Sequence, residues 1–61
     1  MSMPAAWQAG YDWGYGKGPF AGLSAMEAPE AAGYPIDDDA NSELWDAGAE
    51  AALNEQMEAS Q

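Results

Sequence analysis

The chain has 61 residues, with eleven Asp and Glu, one basic residue (Lys17), no histidine and no cysteine, giving a formal charge of −10. That inventory excludes disulfides and cysteine- or histidine-based metal sites and removes the usual base for a nucleophilic serine; its negative field repels nucleic-acid phosphates and anionic membrane surfaces. A chain this short buries only about 60% of its unfolded surface on folding, so stability must come from aromatic packing, oligomerisation or a partner.

The first predicted element is a helix over about residues 4–17. Pro4 suits a first helical position, where its missing N–H costs nothing. Trp7, Gly10, Tyr11 and Gly14 follow the i, i+3, i+4, i+7 spacing of one helical face, and Ala6, Gly10 and Gly14 form a stripe of small residues beside it. A glycine inside a helix costs about 1 kcal/mol relative to alanine, so the stripe implies an element packed closely against it. The helix should stop near residues 16–18, with Pro19 beyond its end.

A linker over about residues 18–40 follows, punctuated by Pro19, Gly22, Pro29, Gly33 and Pro35, which favours turns over a long element. Residues 22–28 can form a short helical turn with Ser24 as its cap. Phe20, Leu23, Met26, Tyr34 and Ile36 are the linker side chains available to a core.

A second helix is predicted over about residues 41–57. Asp37, Asp38, Asp39, Asn41 and Ser42 supply candidate N-caps, and acids near a helix N-terminus suit the macrodipole. Good helix formers then dominate. Trp45, Gly48, Ala49, Ala52 and Leu53 share one face, with Glu43, Asp46 and Glu50 opposite. So narrow and Ala-rich a face requires a partner helix to come close, as the glycine stripe of the first helix would permit. Residues 58–61 are expected to fray. The fold class is therefore all-α: one small domain over residues 1–61, built as helix, long linker and helix, with an aromatic and glycine core.

These landmarks, in this order, resemble the ribosome modulation factor family. The matching residues are Trp7, Gly10, Tyr11 and Gly14, then Tyr34-Pro35-Ile36, then Leu44-Trp45 and Gly48. The resemblance spans most of residues 5–55 and implies two helices joined by an ordered linker. Members of that family are basic and bind ribosomal RNA, whereas this chain has one Lys and no Arg. The likeness extends to the scaffold, with the surface charge inverted.

High net charge and a mean hydropathy of −0.45 are also the signature of a disordered segment that folds on binding. Against that stand three Trp, three Tyr and one Phe, 11% of the chain, placed at ordered spacings. No apolar run approaches the roughly 20 residues a membrane span needs, and residues 1–6 carry no positive charge as a secretory leader would. The expected location is the cytoplasm, that of the host cell if the chain is phage-encoded.

Asp37-x-Asp39-x-Asn41 matches the first three ligand positions of a calcium loop, but Ser42 replaces the turn glycine and Gly48 the bidentate Glu, so a helix cap is the better reading. No metal, cofactor or catalytic residue is expected. An aromatic stacking platform for bases would need a basic groove around it. Trp7, Tyr11 and Trp45 are assigned to the core. Trp13 and Tyr15 fall off the main face; exposed, they are candidate anchors for a protein partner, and packing against the linker is the alternative.

The acids remain. A merely soluble surface mixes both signs, and here only one is present. On the second helix, residues 43–50 span about 10 Å, over which one DNA strand places about three phosphates. The expected function is nucleic-acid mimicry: an inhibitor resembling phage-encoded acidic DNA mimics that occupies the basic surface of a host DNA-binding enzyme, with DNA gyrase the favoured target. Asp37, Asp38, Asp39, Glu43, Asp46 and Glu50 stand in for phosphates. The alternatives are a ribosome-associated or stress adaptor, or an inhibitor of CRISPR or restriction systems.

Overall fold

The computed structural model describes residues 3–59, which form three helices in the order α1 (Ala5–Gly14), α2 (Glu27–Ala31) and α3 (Asp39–Ala59). No strand occurs among the described residues. The all-helical class holds, and the linker carries a short helix of its own. Both long helices differ at their ends from the sequence-based bounds, for local reasons.

At the start of α1, Pro4 is the N-cap with extended backbone (φ −55°, ψ 151°), one residue outside the helix. The helix ends earlier than residue 17 because Gly16 takes φ +72°. The Gly16 amide then donates to the Trp13 carbonyl (2.9 Å) and the Lys17 amide to that of Asp12 (2.8 Å). This paired closure satisfies carbonyls of the last turn, and the left-handed residue that makes it is usually glycine.

The same device closes α2, where Gly33 at φ +95° lets the Gly33 and Tyr34 amides reach the carbonyls of Glu30 and Pro29. At the other end of that turn, Ser24 Oγ accepts from the Glu27 amide and donates to the Glu27 carboxylate, both at 3.2 Å. This Ser-x-x-Glu pairing, similar to a capping box, holds the turn that leads into α2, whose own N-cap position is Met26; Ser24 caps that turn as the sequence indicated. α3 begins at Asp39 because Asp38 caps it. The Asp38 carboxylate accepts from the Asn41 amide (3.3 Å) and the Asn41 side-chain amide (2.8 Å). The helix then continues through Ala59, so the expected fraying of residues 58 and 59 is not what is seen; residues 60 and 61 lie outside the described residues.

Two reciprocal contacts hold α1 to α3. A Cβ built on Gly10 would collide with the carbonyl oxygen of Trp45, and one built on Gly48 would collide with the carbonyl oxygen of Trp7. Trp7-x-x-Gly10 and Trp45-x-x-Gly48 therefore interlock as equivalent halves, each glycine seated on the other helix's tryptophan carbonyl. Only the hydrogen of a glycine leaves room there. One turn further on, a Cβ on Gly14 would lie 2.8 Å from Ala52 Cβ and 3.0 Å from the Ala49 oxygen. The Gln56 side-chain amide donates to the Gly14 carbonyl at 2.8 Å. Contacts thus advance along both helices together, so α1 and α3 run in the same direction. Small residues four apart on both partners (Gly10 and Gly14, Gly48 and Ala52) are the spacing that permits close backbone approach.

Around this crossing the buried set is Ala6, Gly10, Ala28, Trp45, Gly48, Ala49 and Ala52. Among the described residues Trp45, 1% exposed, is the one large side chain fully enclosed. Trp13 and Tyr34 pack against it, with ring centroids 6.1 and 6.2 Å away. The Trp13 indole N–H donates to the Leu23 carbonyl (3.0 Å), which fastens the linker to the core. Linker contributions differ from expectation: Phe20, Leu23 and Tyr34 are half-buried and Ala28 is fully buried. Met26 and Ile36 are 78% and 82% exposed, and Leu53, placed on the packed face by its spacing, is 53% exposed.

Trp7, Tyr11 and Tyr15 form a half-buried aromatic column along α1, with successive centroids 5.1 and 5.0 Å apart. Hydrogen bonding to the Glu55 carboxylate, with burial and Tyr15 adding to it, raises the Tyr11 phenol well above its ordinary value.

Substituting Gly48 by Ala is expected to destabilise the fold by about 1–3 kcal/mol or more, because overpacking against backbone outweighs the roughly 1 kcal/mol gained in helix propensity. Gly22→Ala, where nothing lies within 4 Å of the new Cβ, serves as the near-neutral control; thermal and denaturant unfolding compare the two. The Tyr11 environment favours the neutral phenol in the folded chain. Its contribution is therefore complete below the free tyrosine value of about 10 and is lost as pH rises through the higher folded value. Ultraviolet phenolate titration should place Tyr11 above free tyrosine, and Tyr11→Phe should reduce the loss of stability on the alkaline side.

Candidate partner-binding surface

α3 follows about 3.6 residues per turn, so Asp39, Glu43, Asp46 and Glu50, at i, i+4, i+7 and i+11, fall in one row. All four are exposed. Trp45, Gly48, Ala49 and Ala52 occupy the packed side, and the seating of Gly48 on the Trp7 carbonyl fixes that rotation. The row faces solvent because the opposite side is held against α1. It extends about 16 Å along the axis at 1.5 Å per residue, a distance over which a DNA strand places about five phosphates.

The remaining expected site residues divide. Asp37 is exposed just before the helix. Asp38 is half-buried and committed to capping through Asn41, so it belongs to the architecture of α3 first. Trp13 and Tyr15 are both half-buried. Trp13 packs on Trp45 and holds Leu23, while Tyr15 continues the aromatic column, with Lys17 Nζ 5.5 Å from its ring centroid. The i, i+4 spacing of Tyr11 and Tyr15 was the signal for that column. Asn41 of the calcium-loop pattern serves the Asp38 cap, and among the described residues no three acidic side chains gather closely enough to hold a cation.

One feature of this surface has no counterpart in the sequence-based expectation. Between α2 and the first turns of α3 lies an open cleft of about 600 Å³, with Met26, Pro29, Tyr34 and Ile36 supplying its apolar lining. Glu27 and Glu30 of α2 and Asp46 of α3 border it, and all three are exposed. The cleft and the acid row share Asp46. Met26 and Ile36 are large apolar residues in a Pro- and Gly-punctuated linker, outside any helical repeat; that was the one signal available.

Among the described residues no helix is long and apolar enough to cross a membrane. Comparisons with protein-family models, with curated proteins and with solved structures found no match.

The capping role of Asp38 can be separated from its charge. Asp38→Ala should cost about 1 kcal/mol of stability, whereas Asp38→Asn, an equally good cap without the charge, should cost little. Helicity by circular dichroism and the unfolding midpoint distinguish them.

Proposed function

We propose that this chain is an acidic nucleic-acid mimic that binds the basic, nucleic-acid-binding surface of a partner protein and blocks it. The observation that carries this reading is the exposed row Asp39, Glu43, Asp46 and Glu50 on a helix whose other face is locked in place, in a chain with only Lys17 to offset eleven acids. A mimic needs carboxylates on a rigid support at spacings comparable to phosphates, and a packed helix supplies that support. Asp37 extends the row beyond the helix start, and Asp38 adds charge while capping. Lys/Arg grooves attract such a surface at long range, so association is fast at low salt and weakens as salt screens it. Nucleic acid itself is repelled and is a competitor for the same partner.

Among DNA-binding enzymes, DNA gyrase is the first to assay. The likeness to the ribosome modulation factor family rests largely on Trp7, Gly10, Gly14, Trp45 and Gly48, residues of the helix crossing. That likeness supports a shared scaffold, and an adaptor on the ribosome is the second reading it favours.

The test is capture from a bacterial lysate at low and high salt, with and without added duplex DNA, alongside a supercoiling assay with purified gyrase. A DNA-binding enzyme released by both salt and DNA is the expected result. The variant with Asp39 and Asp46 changed to Asn and Glu43 and Glu50 to Gln should keep its helicity and lose capture. Simultaneous binding of DNA and this chain to one partner site would exclude mimicry, and ribosomal proteins in the eluate would favour the adaptor.

A further inference from the structure

The cleft between α2 and α3 is not explained by imitation of phosphates, because a phosphate row presents no apolar hollow. Its lining includes Met26 and Ile36, 78% and 82% exposed, and the half-buried Tyr34, whose ring rests on Trp45. Three exposed carboxylates border it: Glu27, Glu30 and Asp46. The supports are firm on both sides. Ser24 and Glu27 cap each other at the start of α2, Gly33 closes that helix, and Asp46 sits on α3 beside the buried Trp45.

A second copy of the chain is a poor occupant, since two molecules of charge −10 would meet with their acids facing. A free aliphatic ligand would leave the carboxylates without a role. An occupant that satisfies both features has an apolar group at its centre and positive charge around it.

We infer that the cleft receives an apolar side chain projecting from a basic protein segment, with flanking Lys or Arg residues paired to Glu27, Glu30 and Asp46. This deepens the proposed function, resting on the reading of the partner surface as basic, and assigns the cleft as the point where that surface is gripped. The acid row supplies long-range attraction shared by all nucleic-acid-binding grooves. The cleft supplies selection among them, because it rewards only a groove that carries a protruding aliphatic or aromatic residue between its basic ones. Burial of one such side chain in an apolar pocket is the kind of contact on which interface affinity concentrates.

The experiment uses the full chain and two synthetic probes: a short Lys/Arg peptide with a central leucine, and its twin with serine in that place. Binding is followed by fluorescence anisotropy, and contacts are mapped by amide chemical shifts. The leucine peptide should bind about tenfold more tightly or better, as expected for burying one large aliphatic side chain, with shifts centred on Met26, Tyr34 and Ile36. Ile36→Ser and Met26→Ser alter exposed side chains and should leave the fold intact. They should erase the preference for leucine while leaving affinity for the serine peptide unchanged. Replacing Glu27 and Glu30 by Gln should weaken both peptides. Equal affinity of the two peptides, shifts confined to the row from Asp39 to Glu50, or no binding of either would overturn the assignment. DNA competition in the lysate experiment is read separately: its failure with the leucine preference intact removes mimicry and leaves the cleft, and the reverse removes the cleft alone.

Discussion

Two missing side chains organise this protein. Gly10 and Gly48 let the backbone of each long helix rest on the tryptophan carbonyl of the other, and no other residue type can occupy either position without pushing the helices apart. The reciprocal contact fixes separation and rotation, and the seating of Gly14 against Ala52 one turn on fixes direction. Trp45 is enclosed as a result, and it becomes the floor on which Trp13 and Tyr34 lay the linker. A chain with so few large aliphatic residues cannot fill a wide interior. It instead removes the gap, bringing backbone against backbone, where dispersion over many close atoms replaces the volume that side chains normally supply.

The same contact decides where the charge goes. The molecule is thin, 36 × 28 × 15 Å overall, so nearly every side chain off the crossing is at the surface. Repulsion among acids on such a body works against folding, and the structure counters it locally. Asp38 and Glu27 are used in caps, and Glu55 faces the Tyr11 hydroxyl. Of the remaining acids, Asp39, Glu43, Asp46 and Glu50 line the outer side of α3. A surface useful for attracting a basic partner is therefore also the main electrostatic cost of the fold, and the narrow core must outweigh it.

The helices were legible because their signals are local. The Trp7/Gly10/Tyr11/Gly14 face, the caps before the second helix and the Ser24 turn all follow from spacing and side-chain type, and the glycine stripe correctly implied close packing. The linker was harder. Ile36 and Met26 have the composition of core residues, yet they sit on the far side of turns closed by Gly33 and Ser24, and periodicity says nothing there. Ala28 is buried because α2 forms where only a turn was expected. Leu53 lies at the edge of the packed face, turned about 100° around α3 from the fully buried Ala52. The partner of Trp13, the Leu23 carbonyl, is a backbone group in an irregular segment, which no side-chain pattern reveals. The cleft was hidden for the same reason, since its lining comes from an irregular stretch over residues 24–36 and from Ser42 and Asp46 of α3.

Helices joined by a short turn run in opposite directions; these two run in the same direction, so the chain must travel back along α1 before α3 can begin. Residues 15–38 make that return. Neither helix gains its principal contact until the ends of this segment have met, and the entropy of closing it precedes any reward from the crossing. The contacts that define the fold are thus the most distant in sequence, an arrangement associated with slower folding than a helical hairpin of equal size. Ser24, Gly16 and Gly33 shape the return path in advance, and their local turns shorten the search that the two tryptophan–glycine halves must make to find each other.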